Sequence, residues 1–503
     1  MKHCKTLCAT AALFVAFGGP ASADVTSAEV WEAWQSAAEE MGQTFTAGSE
    51  SQDGGTLTVT DLQFGMETTD ASASGTIPEI VFTEQGDGTV AIDMSPSYDM
   101  TVTVAPEGAE EVEVGVNIAT DGLDMVASGT PDAVSYDYVA AGMTASVTEL
   151  VVDGESLELD TTVELSDLAG SYTVGGDSDM ASQFTAASMV LMLHMDEPDG
   201  GDGTVDATFD FADLSVKSDG SLAMMAGGVK ELAAALGEGM SSQTSVSHGA
   251  ATYLVDFQDG SDMFHLDGST DSGLLEIALS ADSFSYDIGN TGLDFTVSGS
   301  EIPLPQVAVQ MGEFGFGLML PPSASEEPQD FSFGLTMADL SIDEQIWGMI
   351  DPQGQLPHDP ATLILDVAGQ ANFLFDLFDP ESAGMVEADM PAEIHALDIE
   401  ELRLAAVGTE LTGGGSFTFD MDDMETFDGV PAPTGTLNLR LTGANALLDT
   451  LVSMNLLPED QAMGARMMMG LFARPGDGED VLVSEIEIDG ATGAITANGQ
   501  RIQ

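Results

Sequence analysis

From Thr44 onward the chain is written in steps of two. Thr56-Leu57-Thr58-Val59-Thr60, Thr89-Val90-Ala91-Ile92-Asp93-Met94, Met100-Thr101-Val102-Thr103-Val104 and Val112-Glu113-Val114-Gly115-Val116 each alternate apolar and polar residues. That is the period of a strand with one apolar and one wet face. Turn clusters separate the runs: Gln52-Asp53-Gly54-Gly55, Gln85-Gly86-Asp87-Gly88 and Asp153-Gly154. The texture returns at 209–216, 274–279, 295–298, 363–367, 417–419, 437–441 and 486–488. The pattern predicts a mainly β protein built on an elongated, curved antiparallel sheet. Apolar residues recur at three and four only near 222–236, 343–350 and 444–472, which predicts helices there, the last stretch giving a helix pair.

One further helix precedes the first strand. Thr26-Ser27-Ala28-Glu29 reads as a capping box, Val30, Trp31, Trp34, Ala38 and Met41 form an apolar stripe, and Gly42 stops the helix. The stripe predicts a lid helix anchored on the sheet by Trp31 and Trp34. The rival, an interfacial membrane helix, lacks basic residues on its polar face.

The opening MKHCKTLCATAALFVAFGGPASA has the three parts of an export signal: Lys2 and Lys5, an apolar run over 7–17, and Gly18-Gly19-Pro20 before the small residues Ala21-Ser22-Ala23. Cleavage between Ala23 and Asp24 is expected, with a periplasmic or extracellular destination. The apolar run is shorter than the ~20 residues of a stable span, which disfavours an uncleaved anchor. Both cysteines, Cys4 and Cys8, lie in this segment. The expected mature chain therefore has no disulfide, thiolate metal site or cysteine nucleophile. Two of the nine basic residues also lie in it, leaving seven against 86 acidic ones. Such a field repels nucleic acid and bare anionic lipid and attracts cations non-specifically. With 43% hydrophobic residues, the chain has the apolar surface to fold despite its charge.

An apolar residue, any residue, an acid, Leu, any residue and another apolar residue recur at irregular spacing. The phrase reads Val59-Thr60-Asp61-Leu62-Gln63-Phe64, Val147-Thr148-Glu149-Leu150-Val151-Val152, Phe211-Ala212-Asp213-Leu214-Ser215-Val216, Met337-Ala338-Asp339-Leu340-Ser341-Ile342 and Ile399-Glu400-Glu401-Leu402-Arg403-Leu404. Ser74-Gly75-Thr76-Ile77-Pro78 also parallels Ser298-Gly299-Ser300-Glu301-Ile302-Pro303. Two related halves are expected to meet near residue 290. The organisation read from the chain is a signal peptide over 1–23, a helix over 24–43, a β-rich half over 44–290 and a second, with helices, over 291–503.

No nucleophile elbow, zinc-protease helix, phosphate-cradling loop or dinucleotide fingerprint is present. The histidines after the signal, His194, His248, His265, His358 and His395, stand singly and read as solvated or satisfied residues. The acidic turns Asp196-Glu197-Pro198-Asp199-Gly200-Gly201-Asp202-Gly203 and Asp259-Gly260-Ser261-Asp262 lack the ordered spacing of a calcium loop and read as solvated turns. Met467-Met468-Met469 beside Leu471-Phe472 is expected to fill irregular core. No catalytic, cofactor or metal residue is assigned.

Several longer phrases carry a family resemblance. These are Glu29-Val30-Trp31-Glu32-Ala33-Trp34-Gln35, Ile302-Pro303-Leu304-Pro305-Gln306-Val307, Glu327-Pro328-Gln329-Asp330-Phe331, Ile346-Trp347-Gly348-Met349-Ile350-Asp351-Pro352, Leu356-Pro357-His358-Asp359-Pro360-Ala361-Thr362-Leu363, Leu457-Pro458-Glu459-Asp460-Gln461-Ala462-Met463-Gly464-Ala465-Arg466 and Asn498-Gly499-Gln500-Arg501. Over essentially the whole mature length the chain resembles the secreted alphaproteobacterial DUF2125 family, which has no established activity to carry over. From Gly435 its strand, helix pair and closing strands also resemble the end of AsmA-like envelope proteins. That resemblance implies a long curved sheet whose concave apolar face carries lipid chains. The chain departs from it in losing its N-terminal anchor.

Together these readings give a soluble periplasmic protein, without catalytic site or cofactor, that binds or handles a lipid or other apolar envelope component in a sheet groove. It has no nucleic-acid partner and no membrane span after processing; protein partners are unassigned. The rivals are a structural or interaction protein, an outer-membrane barrel, disfavoured by an aromatic share of 6%, and an enzyme whose groups come from distant strands.

Overall fold

The computed structural model describes residues 25–68, 71–105, 110–175, 179–197, 201, 203–221, 236–237, 239–378 and 392–502. The expected signal segment over 1–23 and the expected cleavage site at Ala23 and Asp24 lie outside the described residues. The helix α1 spans Ser27–Glu40 and opens with the expected box: the Thr26 hydroxyl accepts from the Glu29 N–H, and the Glu29 carboxylate accepts from the Thr26 N–H.

The strands that follow form one 28-stranded antiparallel sheet. β1 (Gln43–Thr46) and β2 (Ser49–Asp53) share one edge of β3 (Thr56–Glu67), whose other edge pairs with β4 (Ala71–Glu84). Next, two short strands stand end to end in each row: β5 (Val90–Met94) with β6 (Ser97–Val104), then β8 (Asp124–Thr130) with β7 (Val112–Asp121). The long β9 (Ala133–Val152) closes this block. β10 (Glu155–Leu157) is a short return along β9, and β11 (Leu159–Gly175), β12 (Asp179–Asp196) and β13 (Thr204–Ser221) continue the sheet. The split rows then recur: β14 (Ser242–His248) with β15 (Ala251–Asp259), and β17 (Ser272–Leu279) with β16 (Asp262–Thr270), before the long β18 (Phe284–Gly299). The same pairing plan is thus used twice, over β4–β9 and over β13–β18. Residue 290 lies inside β18, and the sheet is continuous through it.

From β18 the sheet is a meander through β19 (Val307–Leu320), β20 (Gln329–Ile342), β21 (Ala361–Phe373), β22 (Ala392–Ala406), β23 (Thr409–Asp420) and β24 (Ala432–Thr442). β25 (Arg474–Pro475), β26 (Val481–Asp489), β27 (Ala494–Ala497) and β28 (Gln500–Arg501) finish it. Among the described residues three helices interrupt this part: α2 (Glu344–Ile350), α3 (Ala444–Ser453) and α4 (Glu459–Phe472). Of the helix expected over 222–236 only Leu236 is described; it is helical and buried. No pairing among the described residues joins the β1/β2 edge to β28, so the sheet is open. No described helix is long and apolar enough to cross a membrane.

The main core lies where α1 rests on the sheet. Val30 and Trp31 pack with Val59, Ile80, Phe82, Ile92 and Tyr136. The Trp31 indole N–H donates to Glu50 of β2 (3.1 Å), and that of Trp34 to the Tyr172 hydroxyl of β11 (3.2 Å). Those strands are six rows apart, about 29 Å on a flat sheet, whereas the two tryptophans are one helical turn apart, ~5 Å. The sheet therefore curls around the helix with its apolar side inward. A smaller cluster, Ala371, Phe373 and Phe375 with Leu320 and Phe331, closes one end of β19–β22.

One expectation fails. Met467 and Met468 do not fill core but are exposed, as are Met463 and Leu471. α4 meets its surroundings instead through buried Ala462 and through Arg466, which holds Asn445 and Asp449 of α3.

Candidate functional site

Cross-strand register separates the two faces of the sheet cleanly. Ile277, Tyr286, Leu318, Phe333, Val367 and Ile399 stand directly opposite one another in successive strands β17 to β22. One residue along, the facing ladder is Glu276, Asp287, Gly317, Gly334, Asp366 and Glu401. The first ladder is wholly apolar; the second is acid and glycine. At the other end of the sheet Phe45, Phe64, Gly75, Met100, Val116 and Val147 continue the apolar side. One apolar face therefore runs along the sheet from β1 to the C-terminal strands.

A crease crosses this face at right angles to the strands. Asp61, Asp167, Asp213 and Asp339 have φ of +50°, +47°, +52° and +56°, and Gly292 has +61°. At Asp61, Asp213 and Gly292 pairing skips one residue and resumes in register, as from Thr60↔Glu79 to Leu62↔Ile77 and from Ser188↔Ala212 to Ala186↔Leu214; Asp167 with β12 and Asp339 with β19 skip two before resuming, and at Asp339 the register with β21 shifts by one. Because neighbouring strands skip together, the ladder survives while the alternation slips by one. Apolar residues then step by three across the crease, Val59 to Leu62 and Phe211 to Leu214, and stay on the same side of the sheet. The Asp side chains are exposed, whereas Leu62, Leu168 and Leu214, which follow them, are buried at the crease with Ala140 and Ala186. The strand opposite often supplies a glycine. A Cβ on Gly48 would lie 2.8 Å from Asp61 Cβ, and one on Gly312 3.2 Å from Asp339 Cβ.

The recurring sequence phrase is the signature of this crease at Asp61, Asp213 and Asp339. At Glu149 and Glu401 the same phrase marks ordinary bulges, where the pairing register shifts near Gly115/Val116 and Asp366/Val367. Asp167 was missed because its phrase ends on Gly170, not an apolar residue.

The histidines fall in different settings. His194 and His265 are surface residues bonded through Nδ1 to Asp206 and Asp256, each at 2.7 Å. The Asp206 bond, the largest influence on it, raises His194 above the usual imidazole value. His358 stacks on Trp347 with centroids 4.3 Å apart, and its Nε2 lies 3.8 Å from the buried carboxylate of Asp351, which accepts from the Leu356 N–H at 2.6 Å. The family phrases around Trp347 and His358 thus meet in one loop that closes α2. His248 alone stands on the apolar face beside the crease, and His395 Nε2 is buried without a partner among the described residues. The Asp259–Asp262 turn is a plain hairpin with Gly260 at φ +56°, while residues 198–200 and 202 of the other acidic turn lie outside the described residues. Among the described residues no three His, Asp or Glu side chains are grouped to hold a metal ion.

No curated protein and no solved structure matches the chain. The sequence model of the family described as an uncharacterized protein conserved in bacteria, DUF2125, matches residues 258–499. This match begins within β15, so it is narrower than the resemblance read over the mature chain, and the AsmA-like likeness gains no support from it. Over residues 258–499, which hold half of the second split-row block and all the C-terminal meander, the chain matches the DUF2125 family.

Proposed function

We propose that this is an exported, periplasmic protein that holds a lipid or other apolar envelope component on the creased face of its sheet, without catalytic role or cofactor. The observation that carries this reading is the continuous apolar ladder. In a sheet of this length, an apolar face over which the described residues place only local core clusters is a surface suited to a long apolar ligand. The export signal expected over residues 1–23 supports the location. The test is purification from the periplasm in its native state, followed by lipid mass spectrometry. A lipid retained in near-stoichiometric amount is expected, and a protein recovered lipid-free, with no uptake from added lipid, would overturn the proposal.

A second reading, an interaction protein, is favoured by the exposed Met463, Met467 and Leu471, which share one side of α4 at four-residue spacing. A protein that co-purifies and is lost on Met467→Glu would support it. The open sheet edges argue against a closed membrane barrel.

A further inference from the structure

Five glycines on the apolar face are each covered by the aromatic residue directly opposite. Phe64 covers Gly75, Tyr138 Gly170, Phe295 Gly268, Phe331 Gly369 and Phe417 Gly435; in each pair a Cβ on the glycine would run into the ring. A ring laid over a glycine seals a strand where no side chain can pack. His248 and Gly273 form a sixth such pair, with imidazole in place of a phenyl or phenol ring.

The substitution changes the chemistry of the face at that point. His248 Nδ1 lies 2.8 Å from the carbonyl oxygen of Gly249. A carbonyl only accepts, so Nδ1 carries the proton, and in the neutral ring Nε2 is left with its lone pair. Nε2 sits over Gly273 and has no partner among the described residues. Phe211 meets the ring edge to face at 5.2 Å and holds it from the other side of the crease. On the far side of Gly273 the same ladder continues to Asn290, whose amide also has no partner among the described residues. The next residue in the ladder is Phe314. An acceptor and an amide thus flank one glycine within an apolar surface that runs on in both directions.

We infer that His248 and Asn290 anchor the carboxyl head of a long-chain fatty acid whose alkyl chain lies on the apolar face. The inference rests on the groove reading above and names its ligand class. The acid O–H donates to His248 Nε2 and the acid carbonyl accepts from the Asn290 amide. If the proton moves to the imidazole, the pair stays neutral overall. A phosphomonoester head is disfavoured, because its second ionisation leaves charge that one imidazolium does not neutralise. Lys217, opposite Ser245 in the neighbouring ladder, lies on the other face of the sheet.

The test is calorimetric titration of the delipidated full chain with palmitic acid and with methyl palmitate, each delivered from cyclodextrin. The ester keeps the alkyl chain and loses the acid proton. Wild type is expected to prefer the acid about tenfold, the equivalent of one charge-assisted hydrogen bond. His248→Phe, which restores the pairing used at the other glycines and so preserves folding, is expected to abolish the preference and leave ester affinity within about twofold. Asn290→Leu is expected to weaken the acid alone. A preference that survives His248→Phe overturns the anchor. Equal wild-type affinity for acid and ester also overturns it and leaves the groove standing. Binding of neither overturns both.

Discussion

At Asp213 the backbone holds φ +52° in the middle of a strand, between Ala212, opposite Ser188, and Leu214, opposite Ala186. Asp and Asn tolerate this left-handed region because a short polar side chain bonds locally; a β-branched residue does not. Asp213→Asn and Asp213→Val remove the same charge, so comparing them isolates the backbone. The Val variant is expected to be less stable than the Asn variant by about 1–2 kcal/mol in urea unfolding at fixed salt. Equal midpoints would mean that the crease does not depend on this conformation. The crease shows what was legible at this scale. The phrase around Asp61, Asp213 and Asp339 stands out in the sequence as a three-residue step in a two-residue pattern. Its meaning depends on partner strands skipping at the same level, as at Gly292 facing Gly312, and no single strand carries that information. His248 was illegible for a related reason. Its singularity lies in facing Gly273 where other strands use phenyl or phenol rings, a comparison that exists only once register is known.

Helix α1 was the most readable element, because its cap, stripe and stop are all local: Thr26 with Glu29, Val30 with Trp31 and Trp34, and Gly42 at φ +71°. What it packs against was not local. Trp34 reaches Tyr172, 138 residues away, and Tyr172 stacks on Tyr136 with centroids 4.5 Å apart. Burial, the largest influence on both, pushes these phenols well above the ordinary tyrosine range. The folded state therefore keeps their protons where the unfolded chain, near its ordinary value of about 10, releases them. Their contribution is complete below about pH 10 and is lost as pH rises beyond it. The thermal midpoint is expected to fall steeply above about pH 10, and less steeply in Tyr136→Phe. At pH 7 that variant is expected to lose little, because the buried Tyr136 hydroxyl has no partner among the described residues. Parallel pH profiles for the two proteins would show that α1 and its tyrosine floor do not govern alkaline unfolding. The methionines of α4 mark the opposite case. Met463, Met467 and Leu471 look like a core stripe by spacing alone, and only the contact of Arg466 with α3 turns them outward.

For the whole molecule, the dominant physical fact is 86 acidic residues against nine basic ones in a chain built on one large sheet. The acids are arranged by the same register that builds the apolar face. Glu276 stands opposite Asp287, and Asp366 opposite Glu401, like charges on adjacent strands. Such pairs destabilise a sheet. Burial first, and then Glu276, raises the Asp287 carboxyl above its usual value. Its protonated form is thus the one the fold prefers, and this site works against folding once pH rises through the ordinary carboxylate range. Arg403 with Glu410 and Arg466 with Asp449 offset little of this, being surface pairs. Screening acts on all the like-charged ladders together, since their spacing is comparable to the screening length of about 8 Å at physiological salt. The thermal midpoint at pH 7 is therefore expected to climb between ~10 mM and ~500 mM sodium chloride. Glu276→Gln is expected to raise it at low salt and to change it much less at high salt. That convergence distinguishes repulsion between named ladders from a general salt effect, which would lift both proteins equally and leave a constant gap. A midpoint indifferent to salt in both would mean that the curled sheet already keeps its acidic ladders far enough apart, and that the apolar face alone sets its stability.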